Sequence, residues 1–313
     1  MKARLLILAI TSLSLLTSCN HKELGLEYGE KRRIQVVYDW TNAPDANPKG
    51  MCAYFYPEEG TRSGVQRIDF TGIEGGYIDL APGVYHIVSY NNDTEYIQFR
   101  ETESYDSHHG YTRDGDLFEP IYGSGMNIPP RAEDTEDERV TISPDMLWGA
   151  SHYGLTVADE DQTITLYPEE LVCHYSYEVH DVKNIKHMTQ VCGSLSGMSP
   201  HVVFSDKTVG RECITIPFAT VSDKESTFTG EFLTFGHHEE NAKRHIMMFY
   251  VWMDDGSKWY YTYDVTDQVD TAPDKRHVHI IINGLELPQP ITNGSGFHPT
   301  VDDWQTERED IIM

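Results

Sequence analysis

The sequence predicts an all-β protein built as two β-sandwiches in tandem, and three observations carry that expectation. From Arg33 onward, short runs rich in Val, Ile, Tyr and Phe recur between Pro, Gly, Asn and Asp, the texture of strands and turns. No segment shows the apolar period of a helix of ordinary length. The two halves also share an order of events: a strand, a loop reaching Gly50-Met51 or Gly197-Met198, further strands, then a long hairpin. At 313 residues the chain is long enough for two domains with separate cores, and the boundary is expected near residue 160.

In chain order, Lys2 and Arg4 precede an apolar run from Leu5 to Leu16. Its length is short of the roughly 17 to 20 residues that cross a bilayer, so residues 1–18 read as an export signal. The quartet Leu16-Thr17-Ser18-Cys19 resembles a bacterial lipobox. That resemblance implies a diacylglycerylated Cys19 thiol, cleavage just before it and an acylated new N-terminus. Residues 19–32 are polar and suit a tether between the lipid and a folded body.

The first sandwich is expected over 33–160. RRIQVVYDW, MCAYFYP, VQRIDF, GGYIDL and GVYHIVSYNN are its strands, with Ile34, Val36 and Tyr38 at period two. From about Glu101 to Asp145 charge, Gly and Pro replace that texture, which predicts a long loop with unprotected backbone between about Asp106 and Glu138. The second sandwich is expected over 161–290, from TITLYP through LVCHYSYEVHDV, ECITIPF and STFTGEFLTF to HVHIIINGLEL. Its clearest element is IMMFYVWMDDGSKWYYTYDV, in which Asp254-Asp255-Gly256-Ser257 is the turn of a hairpin and Gly256 its positive-φ residue. Residues 291–313 read as an extended tail. The strands centred on Val36, Phe55, Ile87, Tyr177, Phe249 and Ile281 are expected to supply the core.

The charge excludes one class of partner. The chain carries 24 basic and 50 acidic side chains, a formal charge of −26, and loss of Lys2 and Arg4 with the signal deepens it by two. A phosphate polymer would be repelled, so nucleic acid is not an expected partner. After Cys19 there remain Cys52, Cys173, Cys192 and Cys213, with no C-x-x-C pair. Two disulfides would allow three connectivities, and free, buried, apolar-like thiols are the plainer reading.

No cofactor or metal is expected. Fifteen histidines include His108-His109, His237-His238 and His277-x-His279. On a strand His277 and His279 share a face and could ligate together, while adjacent histidines point apart. None brings a cysteine or carboxylate at ligand spacing, so all are read as surface histidines. The paired acids Glu169-Glu170, Asp254-Asp255 and Asp302-Asp303 fall at turns or in the tail, where solvation accounts for them. There is no G-x-S-x-G, H-E-x-x-H or phosphate-binding glycine loop, and the chain is not expected to be an enzyme. The aromatic surplus around the hairpin offers the alternative of a glycan-stacking platform from Trp252, Trp259 and Tyr261, against a plainer role in core and cross-strand pairing. A platform needs coplanar rings on one exposed face.

The lipobox, RRIQVVYDWTNAPDANPKGMCAYFYPEEG, DLAPGVYHIVSYNND, LWGA, YSYEVHDVKN with GSLSGMSP, and the terminal VDDWQ together resemble the fimbrillin-superfamily lipoproteins of Bacteroides-type bacteria. Within that superfamily the chain is similar to a group of unknown function related to the FimB/Mfa fimbrium-anchoring subunits. The resemblance implies two transthyretin-like, Greek-key sandwiches, attachment to the outer membrane through lipid on Cys19, and fimbrial subunits as partners in cell adhesion. The leader shows no long pro-segment ending in an arginine cleavage site, which points to the base or an accessory position rather than the shaft.

Overall fold

A computed structural model describes residues 31–61, 63–121, 129–158, 160, 162–240, 244–289 and 304–306. The signal, Cys19 and the tether up to residue 30 lie outside the described residues, as does the tail apart from 304–306. The chain is all-β, with strands in five sheets, as the alternating and doubly apolar runs require.

In the first half, β1 (Arg32–Tyr38) lies between β4 (Gly75–Leu80), antiparallel, and β10 (Gln162–Leu166), parallel. This three-stranded sheet faces a five-stranded antiparallel one, ordered β11 (Glu169–Glu170), β9 (Trp148–Val157), β5 (Gly83–Asn91), β2 (Gly50–Pro57) and β3 (Gln66–Thr71). Ile34, Val36, Ile78 and Ile164 from the first pack on Met51, Phe55, Tyr85 and Ile87 from the second. Because β10 completes this sheet, the first half runs past the expected limit of 160.

In the second half, β12 (Cys173–Lys183) pairs with β17 (Phe228–Thr234) and, in parallel, with β20 (His277–Glu286), and β16 (Val221–Ser222) adds to β17. The facing sheet runs β21 (Trp304–Gln305), β19 (Lys258–Asp264), β18 (Ile246–Met253), β13 (Met188–Met198), β15 (Ile214–Ala219) and β8 (Arg139–Val140). Tyr177, Phe218, Phe228, Phe249 and Ile280 fill the space between them. A short helix, α1 (Thr266–Asp270), follows β19. Each half thus opens with a strand, β1 or β12, that pairs in parallel with a later one. The Gly-Met markers do not coincide: Gly50-Met51 begins β2, whereas Gly197-Met198 ends β13.

The hairpin expected at 246–265 forms. Gly256 takes φ +84°, Met253 N–H donates to Ser257 O at 2.9 Å, and Asp255 accepts from the Ser257 amide and hydroxyl.

The 101–145 excursion, expected as a long loop, carries short strands among its described residues: β7 (His109–Thr112) lies between β6 (Ile97–Arg100) and β14 (His201–Val203), and β8 joins β15. Leu117, Phe118 and Ala132 cover the outer face of the six-stranded sheet, and buried Glu138 accepts hydrogen bonds from Thr215 Oγ1 and Gly197 N–H. The charges that look like solvated loop are in part buried partners for another strand. In the tail, Trp304 and Gln305 pair in parallel with Lys258 and Trp259.

Ile281 is 42% exposed, while Ile280 and Ile282 are buried. In HVHIIIN the apolar run has no phase, so the face that turns inward is set by the register with β12. Gln268 bonds both the N–H and the carbonyl of Ile281. Ile281→Thr should therefore change stability by no more than about 0.5 kcal/mol in urea unfolding. A loss above about 1.5 kcal/mol would show it to be core.

Candidate functional site

The aromatic hairpin divides its rings between two faces. Trp259, Tyr261 and Tyr263 turn towards the second-half core, and Tyr261 is 6% exposed with its hydroxyl donating to Glu286 O. Trp252 and Tyr260 turn the other way, where Trp252 meets Phe118 and Trp304 edge-on, each at 5.1 Å between ring centroids. Trp252, Trp259 and Tyr261 therefore do not form a platform, since alternation along paired strands sends them to opposite sides.

The six-stranded sheet ends in two-residue strands, β8 on one side and β21 on the other, and β21 pairs with β19 at Lys258 and Trp259.

Histidines gather in three places. His108 is fully buried, edge-on to Tyr54 at 4.8 Å, with Nδ1 2.6 Å from the Tyr56 hydroxyl. Burial pushes its pKa down to about 4. Its neighbour His109 points away, to His201 at 4.7 Å. His277 stacks on His174 at 5.1 Å, and Glu170 stands 3.5 Å from His174 Nε2, so Glu170, His174 and His277 converge. His279 instead meets Ser176 Oγ at 2.9 Å. His237, His245 and Asp270 make a third group, with both imidazoles held below the usual histidine range by burial. His108 and His237 are thus not the surface histidines that the sequence suggests. His174 at four residues from Glu170 was a readable signal. His245 and Asp270 were not, because His237, His245 and Asp270 come from separate segments.

Beside these groups runs a groove lined by Glu170, Cys173, Lys207, His237 and Arg276. At its rim burial pushes the Glu169 carboxyl up, but hydrogen bonds and charge from Lys207 and Arg276 outweigh that and hold it below the usual range. Cys52, Cys173, Cys192 and Cys213 are free thiols, and burial pushes Cys52 up to about 12 and Cys173 to about 11. Cys19, the expected lipidation site, lies outside the described residues.

Sheets in this order define an all-β architecture. The structure superposes on the crystal structure of a putative adhesin from Bacteroides ovatus with a TM-score of 0.62 at 23% identity, over 88% of this chain and 99% of that one. The chain belongs to the family described as a domain of unknown function, DUF5119, whose profile matches residues 18–219. It is 29% identical over 195 residues to the putative fimbrium anchoring subunit Fim4B of Bacteroides ovatus, over 62% of this chain and 53% of that one. The chain thus spans about half the length of that curated relative. A more distant structure, the fimbrial anchor protein Mfa2 from Porphyromonas gingivalis, gives a TM-score of 0.48 at 14% identity, over 81% of this chain and 90% of that one.

Proposed function

We propose that this chain is a lipoprotein of the outer membrane, held there by lipid on Cys19, that anchors or caps fimbriae and so serves cell adhesion. Its body is two transthyretin-like sandwiches in tandem, meeting between β10 and β12. The observation that carries the reading is the likeness to a putative fimbrium anchoring subunit, and family membership supports it. A strand from a fimbrial subunit would add to a sheet edge by main-chain hydrogen bonds, and neighbouring side chains would select it. A subunit fixed by lipid that accepts a strand would end a fibre at the membrane. The formal charge of −26 keeps the body in water and away from an anionic lipid surface. The glycan alternative loses its support with the division of its three rings between two faces.

The test is fibre retention. Cells lacking the protein should shed fibres into the medium, and cells carrying Cys19→Ala should do the same while the protein itself leaves the membrane fraction. Fibres that stay bound to cells in both strains would overturn anchoring. Membrane association that survives Cys19→Ala would overturn the lipid attachment alone.

A further inference from the structure

The third histidine group has the geometry of a metal site and no role in strand exchange. His237 Nε2 lies 3.6 Å and His245 Nε2 3.7 Å from the same oxygen of Asp270, Oδ1, and the two imidazole centroids are 4.7 Å apart. In a tetrahedral zinc site with bonds of about 2.0–2.2 Å, neighbouring donor atoms are about 3.4 Å apart, so the observed spacings need only small side-chain rotations.

Each donor sits on fixed backbone. His237 follows Gly236, whose carbonyl accepts from Ser199 N–H and whose amide donates to Thr234 Oγ1. His245 donates its own N–H to Thr266 Oγ1 and accepts from Val265 N–H. Asp270 closes α1.

The tautomer of His245 is settled by its partner. Nδ1 lies 3.2 Å from Ser196 O, a carbonyl that can only accept, so Nδ1 carries a proton. In the neutral ring Nε2 is then a lone pair directed at a carboxylate oxygen, an arrangement that attracts a cation between them. Donation of the second nitrogen to a main-chain carbonyl is also how metal-binding imidazoles are usually oriented. The Lys275 ammonium is nearby but is committed to the carbonyls of Val269 and Asp270.

We propose that His237, His245 and Asp270 bind a divalent transition-metal ion, zinc foremost. Two imidazoles and one carboxylate select zinc, copper or nickel over calcium and magnesium, which take oxygen donors. Asp270 is half exposed, so the remaining coordination position opens to water. The ion would tie the connection between β17 and β18 to α1, and its binding would stabilise the folded chain by mass action. The site stands independently of fibre anchoring.

Zinc titrated into the metal-stripped full chain should fill one site that calcium does not compete for, and cobalt should give the visible absorption of a four- or five-coordinate ion. His237→Ala and Asp270→Asn should each weaken zinc at least about tenfold. His277→Ala, in the neighbouring cluster, should leave the affinity unchanged. His245 is the most deeply buried of the three and its loss would disturb packing, so His237 and Asp270 carry the test. No zinc binding, equal competition by calcium, or loss on His277→Ala in place of His237→Ala would overturn the proposal.

Discussion

Replacing Phe249 by alanine should cost about 3–5 kcal/mol of unfolding free energy, the largest loss expected from a single substitution here. Phe249 is fully buried at the middle of β18, and its ring lies 5.5 Å from Tyr177, 6.1 Å from Tyr263 and 6.2 Å from both Phe218 and Phe228. Its backbone is laddered on both sides, to Gly193 and to Tyr261. The strand cannot move inward to fill the space without breaking register with both neighbours, so the cavity persists. Opposite it, Gly193 shows how little room is spare, since a Cβ there would stand 2.3 Å from the Phe218 ring. Urea unfolding should show a lower midpoint at an unchanged slope. A loss under about 1.5 kcal/mol would mean that the core repacks around the gap.

Acid should destabilise the fold through His108. Its pKa falls from the ordinary 6.5 to about 4 because burial penalises the charged ring. Above pH 6.5 the ring is neutral in both folded and unfolded chains and costs nothing. As pH drops below 6.5 the unfolded chain takes up a proton that the folded chain refuses, so stability falls until about pH 4 and then levels. The loss reaches about 3 kcal/mol. His237 and His245 are shifted in the same direction and add to it. His108→Gln removes the largest part, so its stability measured between pH 7 and pH 4.5 should vary less than that of the natural chain. Equal slopes would show that His108 does not titrate in this way.

Much of the fold is legible in the sequence where the information is local. The β18–β19 hairpin could be read because two aromatic-rich runs flank an Asp-Asp-Gly-Ser turn, and Val36, Phe55 and Ile87 lie in strands whose apolar positions alternate or run unbroken. The strand centred on Ile281 supplies core as expected, but which of Ile280, Ile281 and Ile282 turn inward is not legible, because three consecutive isoleucines carry no phase. The excursion was misread because its partners lie far away: Arg139 and Val140 pair with Ile214 and Thr215, and buried Glu138 looks in sequence like any other acid in EDTEDER. The histidine groups fail for the same reason, since the β18–β19 hairpin separates Asp270 from His237 and His245 and the three converge only in the folded chain, which no spacing encodes. The lipobox reading rests on a linear motif that lies outside the described residues.

The path of the 101–145 excursion bears on how the protein carries tension. The chain leaves the first half after β5, lends β7 and β8 to sheets that contain second-half strands, and returns to build β9 and β10 before the second half begins. The halves are therefore latched by strands as well as joined by the connection between β11 and β12. A pull applied ahead of Arg32 runs along the axis of β1, whose ladders with β4 and β10 resist as sets of bonds sheared together rather than unzipped singly. Load that reaches the second half can then divide between the covalent link and the latch, so neither has to hold the whole of it.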